Sequence, residues 1–340
     1  MNIFWFRRDL RLNDNIGLYH ALQKGHVLPI FIFDKNILDK IDSDDARLTF
    51  IYQTLENINS ELAKYKSSIK FYYGYPNVIW KNIIQNNQIN EVFWNKDYEP
   101  YSLDRDQIIT NLIKQNNIKL NMFKDQVIFE EFEVTKSDGK PYTVFTPYKN
   151  KWLSQLQLPK IFNTNELFSN FIKYQSPIIP MEDMGFTESK IKVKDFRFSG
   201  LKEYDQTRDF PSKDQTSYLS PHLRFGTISV RECINKALNI NEIFLSELIW
   251  REFFMQIIFH FPKVVNQPFK MKYDKIIWLN NKKHFESWSK GQTGYPLVDA
   301  GMRQLNQTGY MHNRVRMVTA SFVVKYLLID WRWGERYFAE

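Results

Sequence analysis

Three segments of the chain carry side chains whose types and spacing could do chemistry. In SELIWREFFMQI (246–257), Trp250 stands three residues and Arg251 four residues after Glu247, so all three share one side of a helix. A carboxylate beside an indole can hydrogen-bond a ligand that the indole stacks against. An amphipathic helix with an ordinary i,i+4 Glu–Arg pair, worth only about 0.3–0.5 kcal/mol, accounts for the same residues. In GYMHNRVRMVTASF (309–322), Asn313, Arg316, Met317 and Ala320 fall at helical spacing and offer an amide, a guanidinium and a thioether together. Arg314 projects in a neighbouring direction, and His312 has no firm role. The bland alternative is an arginine that snorkels to the surface. In DQTSYLSPHLRFGTIS (214–229), Thr216, Ser217 and Ser220 crowd before a helix-like stretch. Free N–H groups and the positive end of a helix dipole suit a phosphate there, although an N-cap and turn would read the same way.

These segments need elements to hold them. NIFWF (2–6), VLPIFIF (27–33), IKFYY (69–73), INEVFW (89–94) and IKLNMF (118–123) read as strands. Stretches near 15–24, 45–65, 77–87 and 100–115 between them have helical spacing. Strands alternating with helices predict an α/β domain, a doubly wound parallel sheet covered on both faces. No GxGxxG follows the first strand, so the usual dinucleotide fingerprint is absent. Residues 126–200 read as a long connector with a few helical turns. From about 200 onward the strand pattern ends, and 242–260, 297–307 and 311–328 predict an all-helical domain.

Of 340 residues, 43% are hydrophobic and 25% charged, which predicts a packed core without disorder. The net charge is +8. Residues 201–340 hold 20 Lys+Arg against 14 Asp+Glu, a net of +6, leaving +2 for the first 200. A basic second half suits a polyanionic partner such as nucleic acid; a solvated basic surface is the plainer reading. The single cysteine, Cys233, excludes an internal disulfide and a cysteine-based zinc site. No apolar run reaches the ~20 residues of a membrane span, and the N-terminus turns charged too early for a signal peptide. A soluble cytoplasmic monomer is expected.

Five motifs together resemble the photolyase/cryptochrome family: FWFRRDLRLNDN, RDFPSKDQTSYLSPHLRFGTIS, ELIWREFF, GQTGYPLVDAGMRQLNQTGYMHNRVRM and LLIDWRWGERYF. The likeness runs from residue 3 to 340 and points to bacterial class I cyclobutane pyrimidine dimer photolyases. It implies an α/β antenna domain (1–125), a connector (126–200) and a helical FAD- and DNA-binding domain (201–340). It also implies light-driven repair of ultraviolet-damaged DNA by electron transfer from excited reduced FAD, a carbon–carbon lyase reaction. Base-flipping is the expected mode of access.

Carried over position by position, the resemblance implies that Tyr204, Thr216, Ser217, Leu219 and Ser220 cradle the FAD diphosphate and ribityl chain. It places Asn313 and Arg316 near the flavin. Glu247 would hydrogen-bond the dimer, and as a buried acid it would tend to be protonated. Trp250 would pack against the flipped dimer with Met317 under it. Arg208, Arg251 and Arg314 would meet the DNA backbone or the pocket rim. Trp278 and Trp331 would be the outer and middle members of the tryptophan chain that reduces the flavin. A folate (methenyltetrahydrofolate) antenna is supported by Tyr98 and Glu99, whereas Tyr101 and Ser102 stand where an Asn-Glu pair is expected. Asn313 and Met317 stand where enzymes for the other main photoproduct carry two histidines, which favours the cyclobutane dimer. The family continues past GERYF into a stretch with NNGGWQW, so the helical domain is expected to be incomplete at its C-terminus; a chain truncated there should hold FAD weakly and repair little. A cryptochrome-like light sensor and an inactive remnant are the alternatives.

Overall fold

The computed structural model describes residues 1–340. Elements run in the order β1 (Asn2–Phe6), α1 (Ile16–Lys24), β2 (Val27–Asp34), α2 (Lys35–Leu38), α3 (Ala46–Ala63), β3 (Lys70–Gly74), α4 (Pro76–Asn86), β4 (Glu91–Asn95), α5 (Pro100–Gln115), β5 (Lys119–Phe123) and α6 (Phe145–Gln155). Then come α7 (Tyr204–Thr207), α8 (Leu219–Phe225), α9 (Val230–Leu238), α10 (Glu242–His260), α11 (Lys282–Ser289), α12 (Pro296–Thr308), α13 (Asn313–Lys325) and α14 (Trp331–Ala339). The chain packs as two compact units. One is Met1–Glu188 with Leu219–Pro262; the other is Ser189–Tyr218 with Lys263–Glu340.

The first unit holds a five-stranded parallel sheet in the order β3-β2-β1-β4-β5. Alternation along β1 explains its burial on both faces. Phe4 and Phe6 point into one apolar cluster with Leu18, Leu22, Phe31 and Leu55, while Ile3 and Trp5 point into another with Ile30, Trp80, Trp94 and Ile109. In the second cluster the rings of Trp5, Trp80 and Trp94 lie 5.6–6.4 Å apart, edge to face. Strand order reverses between β1 and β4, the usual place for a ligand crevice in such sheets.

A buried ionic cluster fastens α9 to the loops that follow β1 and β5. Asp125 accepts from Arg11 Nη2 at 2.7 Å and from Arg231 Nη2 at 2.8 Å. Arg231 Nε also reaches Asp14 at 3.1 Å. Gly226 lies close by in the left-handed region, φ 69°, where a Cβ would sit 2.3 Å from the Arg8 carbonyl oxygen. Burial pushes the Asp125 carboxyl up, but the guanidiniums of Arg11 and Arg231 outweigh it and hold it at about 2. The folded value lies below the unfolded ~3.9. Asp125 therefore stabilises the fold above pH ~4, and that contribution, on the order of 2 kcal/mol, is lost as pH falls through about 2. Urea denaturation of Asp125→Asn across this range should show a flatter acid limb than the parent protein; parallel limbs would contradict the ionic role.

The packing partitions the chain differently from boundaries at 125 and 200. Residues 126–188 and helices α8 to α10 all belong to the sheet-bearing unit, because α9 is tied down by Arg231 and α10 by contacts to α6 described below. The second unit has no strand. Its core gathers Trp288, Met302, Val315, Phe322, Val323 and Ile329. Helices α12 and α13 approach closely at Gly301, where a Cβ would fall 2.3 Å from Val315 Cγ1. No helix is long and apolar enough to cross a membrane.

Candidate functional site

In the first unit, α10 carries the Glu247–Trp250 pair. Asn241 caps the helix, its side chain accepting from the N–H groups of Ile243 and Phe244 at 3.0 and 3.1 Å. Trp250 is half-buried. Its ring stacks on Phe145 at 3.6 Å and 9°, and on Phe254 at 5.3 Å and 24°. Phe254 is 56% exposed, so the aromatic strip opens to solvent. Glu247 is half-buried, not the buried acid that was expected.

The buried acid of this helix is Glu252, which sequence reasoning passed over. It accepts from the N–H groups of Ile128 (2.6 Å) and Phe129 (3.0 Å), from Trp152 Nε1 (2.7 Å) and from the Tyr148 hydroxyl (3.4 Å). Burial pushes its carboxyl up against these donors. Phe145, Tyr148 and Trp152 lie along α6 at i, i+3 and i+7, so the helix that clasps Glu252 also lays Phe145 on Trp250.

Arg251 departs from its expected role. It does not pair with Glu247: its guanidinium donates to the Gln126 carbonyl at 2.7 Å and the Leu223 carbonyl at 3.2 Å. Burial, reinforced by the charge of Arg8, lowers it to about 10. Those two donors brace α10 against the Gln126 and Leu223 carbonyls, so Arg251 holds the helix in place within its unit.

In the second unit, the face expected on α13 divides. Arg316 and Ala320 line a cavity of about 460 Å³ with Trp331 and Phe338, whereas Asn313 is exposed and Met317 is 55% exposed. The Arg316 guanidinium lies 4.9 Å from the Phe338 ring. Burial alone lowers it; no carboxylate offsets the charge. This half-buried cation shares the cavity wall with the Glu335 carboxylate and a mostly apolar lining, so it offers a single point of positive charge to a ligand. His312, without an assigned role from sequence, is the N-cap: its Nδ1 accepts from the Arg314 N–H at 3.2 Å. Burial lowers its pKa, which favours the neutral ring that this bond requires. Arg314 Nε donates to Asp209 at 2.5 Å, and Arg208 lies 3.7 Å from the same oxygen.

The hydroxyl segment is held by partners that the sequence did not announce. The Tyr310 hydroxyl meets Thr216 Oγ1 at 2.9 Å. Arg197 donates through Nε to the Thr216 carbonyl and through its backbone N–H to the Ser217 carbonyl. Lys194 Nζ lies 4.6 Å from the Tyr218 ring centre. Thr216, Ser217, Lys194 and Arg197 thus form a hydroxyl-and-cation patch in the second unit, in which Asp214 already takes Arg197 Nη2 at 2.8 Å; Tyr204 instead lies under the Arg208 guanidinium, which is 5.4 Å from the ring centre. Leu219 (buried) and Ser220 (exposed) belong to the other unit and lie inside the first turn of α8, not ahead of it.

Of the electron-transfer candidates, Trp331 lines the Arg316 cavity and Trp278 is partly exposed in an irregular segment. The antenna positions are engaged internally. Tyr98 is buried, Glu99 pairs with Arg8 and Arg224, the Tyr101 hydroxyl bonds Asp34, and Ser102 is buried in α5.

A parallel-sheet α/β unit and a strand-free helical unit define an α/β-plus-helical protein. The chain belongs to the photolyase/cryptochrome family. Residues 2–165 match the family described as DNA photolyase, and residues 244–340 match the FAD binding domain of DNA photolyase. The chain is 32% identical to the deoxyribodipyrimidine photo-lyase of Synechococcus sp., covering 99% of itself and 77% of that protein. It is 34% identical to the Escherichia coli K12 enzyme of the same name, again over 99% and 77%. A bacterial class III photolyase from Agrobacterium tumefaciens superposes with a TM-score of 0.88 at 32% identity, over 100% of this chain and 75% of that one. The sequence resemblance points to class I, whereas this structural neighbour is a class III enzyme, so what is shared is the photolyase family and not class I. A Synechocystis cryptochrome, TM-score 0.85 at 23% identity over 99% and 77% of the two chains, shares the fold.

Proposed function

We propose that this protein is a light-dependent lyase that repairs cyclobutane pyrimidine dimers in DNA. The observation that carries this reading is the α10 face, where Glu247 stands one turn from a Trp250 indole set in an open aromatic strip. Bound FAD would supply the light-driven electron. Around it, Arg316 would balance the flavin's negative charge, and Thr216, Ser217 and Tyr204 would hold the diphosphate and ribityl chain. Trp278 and Trp331 would carry electrons to the flavin. Glu247 would hydrogen-bond the carbonyl edge of the extruded dimer, and Trp250 would pack against its rings; in the second unit, Asn313 would stand near the flavin and Met317 would serve the dimer. Arg208 and Arg314 would meet backbone phosphates, so affinity should fall steeply with salt. Residues 1–125 would serve as the antenna domain and 201–340 as the FAD- and DNA-binding domain.

The test is an absorption spectrum of the purified protein followed by blue illumination with a dimer-containing oligonucleotide. Flavin absorption with light-dependent loss of dimers is expected. Flavin without repair would replace this reading with a light sensor, and no flavin would indicate an inactive relative. A hydrogen bond to a charged group is worth about 1.5–3 kcal/mol. Glu247→Ala should therefore slow the dimer-splitting step by about tenfold or more, lower repair per absorbed photon, and change binding much less; equal losses would contradict the assigned role.

A further inference from the structure

Asp209 sits where the proposed DNA-facing cations converge. It follows Arg208, the C-cap of α7, and its side chain is 57% exposed. Arg314, in the first turn of α13, donates Nε to its Oδ1 at 2.5 Å, and Arg208 Nε lies 3.7 Å from that same oxygen. The Arg314 Nη1 also approaches Met317 Sδ at 3.5 Å. One carboxylate oxygen hydrogen-bonded by the Arg314 guanidinium, with the Arg208 charge 3.7 Å away, reproduces what a phosphate oxygen would find there: a charge-assisted donor backed by a second cation.

We propose that Asp209 stands in for a DNA phosphate in the free protein and limits the affinity of the Arg208–Arg314 pair for any polyanion. The inference rests on the reading of Arg208 and Arg314 as DNA contacts. It assigns a specificity role to a residue of opposite sign. With Asp209 in place the cluster carries one net positive charge instead of two, so contacts to the lesion decide binding more than backbone charge does. The exchange costs little, because an exposed ion pair contributes little and salt screens it. The bond from Arg314 holds the Asp209 carboxyl below its usual range, so the stand-in is charged at neutral pH.

The test measures binding of dimer-containing and undamaged duplexes across salt for Asp209→Asn, Arg314→Ala and the double variant. Asp209→Asn should bind both duplexes roughly three- to tenfold more tightly at low salt, with the slope of log K against log salt steeper by about one. Arg314→Ala should bind more weakly, and in that background Asp209→Asn should gain less than about twofold. If Asp209→Asn binds no more tightly while Arg314→Ala weakens binding, the stand-in role is overturned and the DNA-facing reading survives. An undiminished gain in the double variant also overturns it, since the carboxylate would then act at long range. No change in any variant overturns both.

Discussion

Replacing Glu252 with alanine destabilises the sheet-bearing unit by at least about 3 kcal/mol. The magnitude follows from what the substitution leaves behind. Two backbone N–H groups and the Trp152 indole N–H lose their acceptor in a region where Glu252 itself is 1% exposed, and each buried unsatisfied donor costs about 1–3 kcal/mol. Glu252→Gln keeps the volume and one acceptor oxygen but turns an NH₂ toward the remaining donors, so it should recover only part of the loss. Chemical denaturation followed by far-ultraviolet circular dichroism measures this directly. A loss below ~1 kcal/mol for the alanine variant would mean that water satisfies the donors. Because α6 places Phe145 on Trp250, the same variant should also alter the indole's fluorescence environment.

Arg316→Leu separates stability from cofactor retention. The guanidinium is half-buried with no carboxylate to offset it, and a desolvated charge without a partner is a cost to the fold. An apolar side chain there should leave the flavin-free protein equally stable or more so. Retention of FAD should fall by tenfold or more, since a hydrogen bond to a charged group contributes about 1.5–3 kcal/mol. Thermal melts of flavin-free protein and the flavin-to-protein absorbance ratio after gel filtration give the two readouts. Lower stability with unchanged flavin content would assign Arg316 to the fold alone.

Much of the scaffold was legible in the residue pattern. The apolar runs at 2–6 and 118–123 coincide with β1 and β5, and helical spacing over 242–260 coincides with α10, because period and burial are local properties of the chain. The side-chain partners were less legible. Glu252 bonds residues 100–124 positions away, and nothing local distinguishes it from a solvated glutamate. The i,i+4 rule paired Arg251 with Glu247, but it cannot see the Gln126 and Leu223 carbonyls that take the guanidinium instead. Helical spacing placed Asn313, Arg316 and Met317 on one side; only packing decides that Arg316 lines the cavity while Met317 stays exposed. His312 escaped notice because histidine is outside the usual set of N-caps.

The three indoles under the sheet make an optical element as well as an apolar one. Trp5, Trp80 and Trp94 are close enough for their ultraviolet transitions to mix, and their rings are steeply inclined to one another, at 62–89°. Near-ultraviolet circular dichroism should carry their signature. Energy transfer among the three rings is the expected result of that spacing, and their burial predicts that their share of the emission lies at the blue end of the tryptophan range. Melting of the sheet-bearing unit can then be followed as the collapse of a coupled chromophore, without any label.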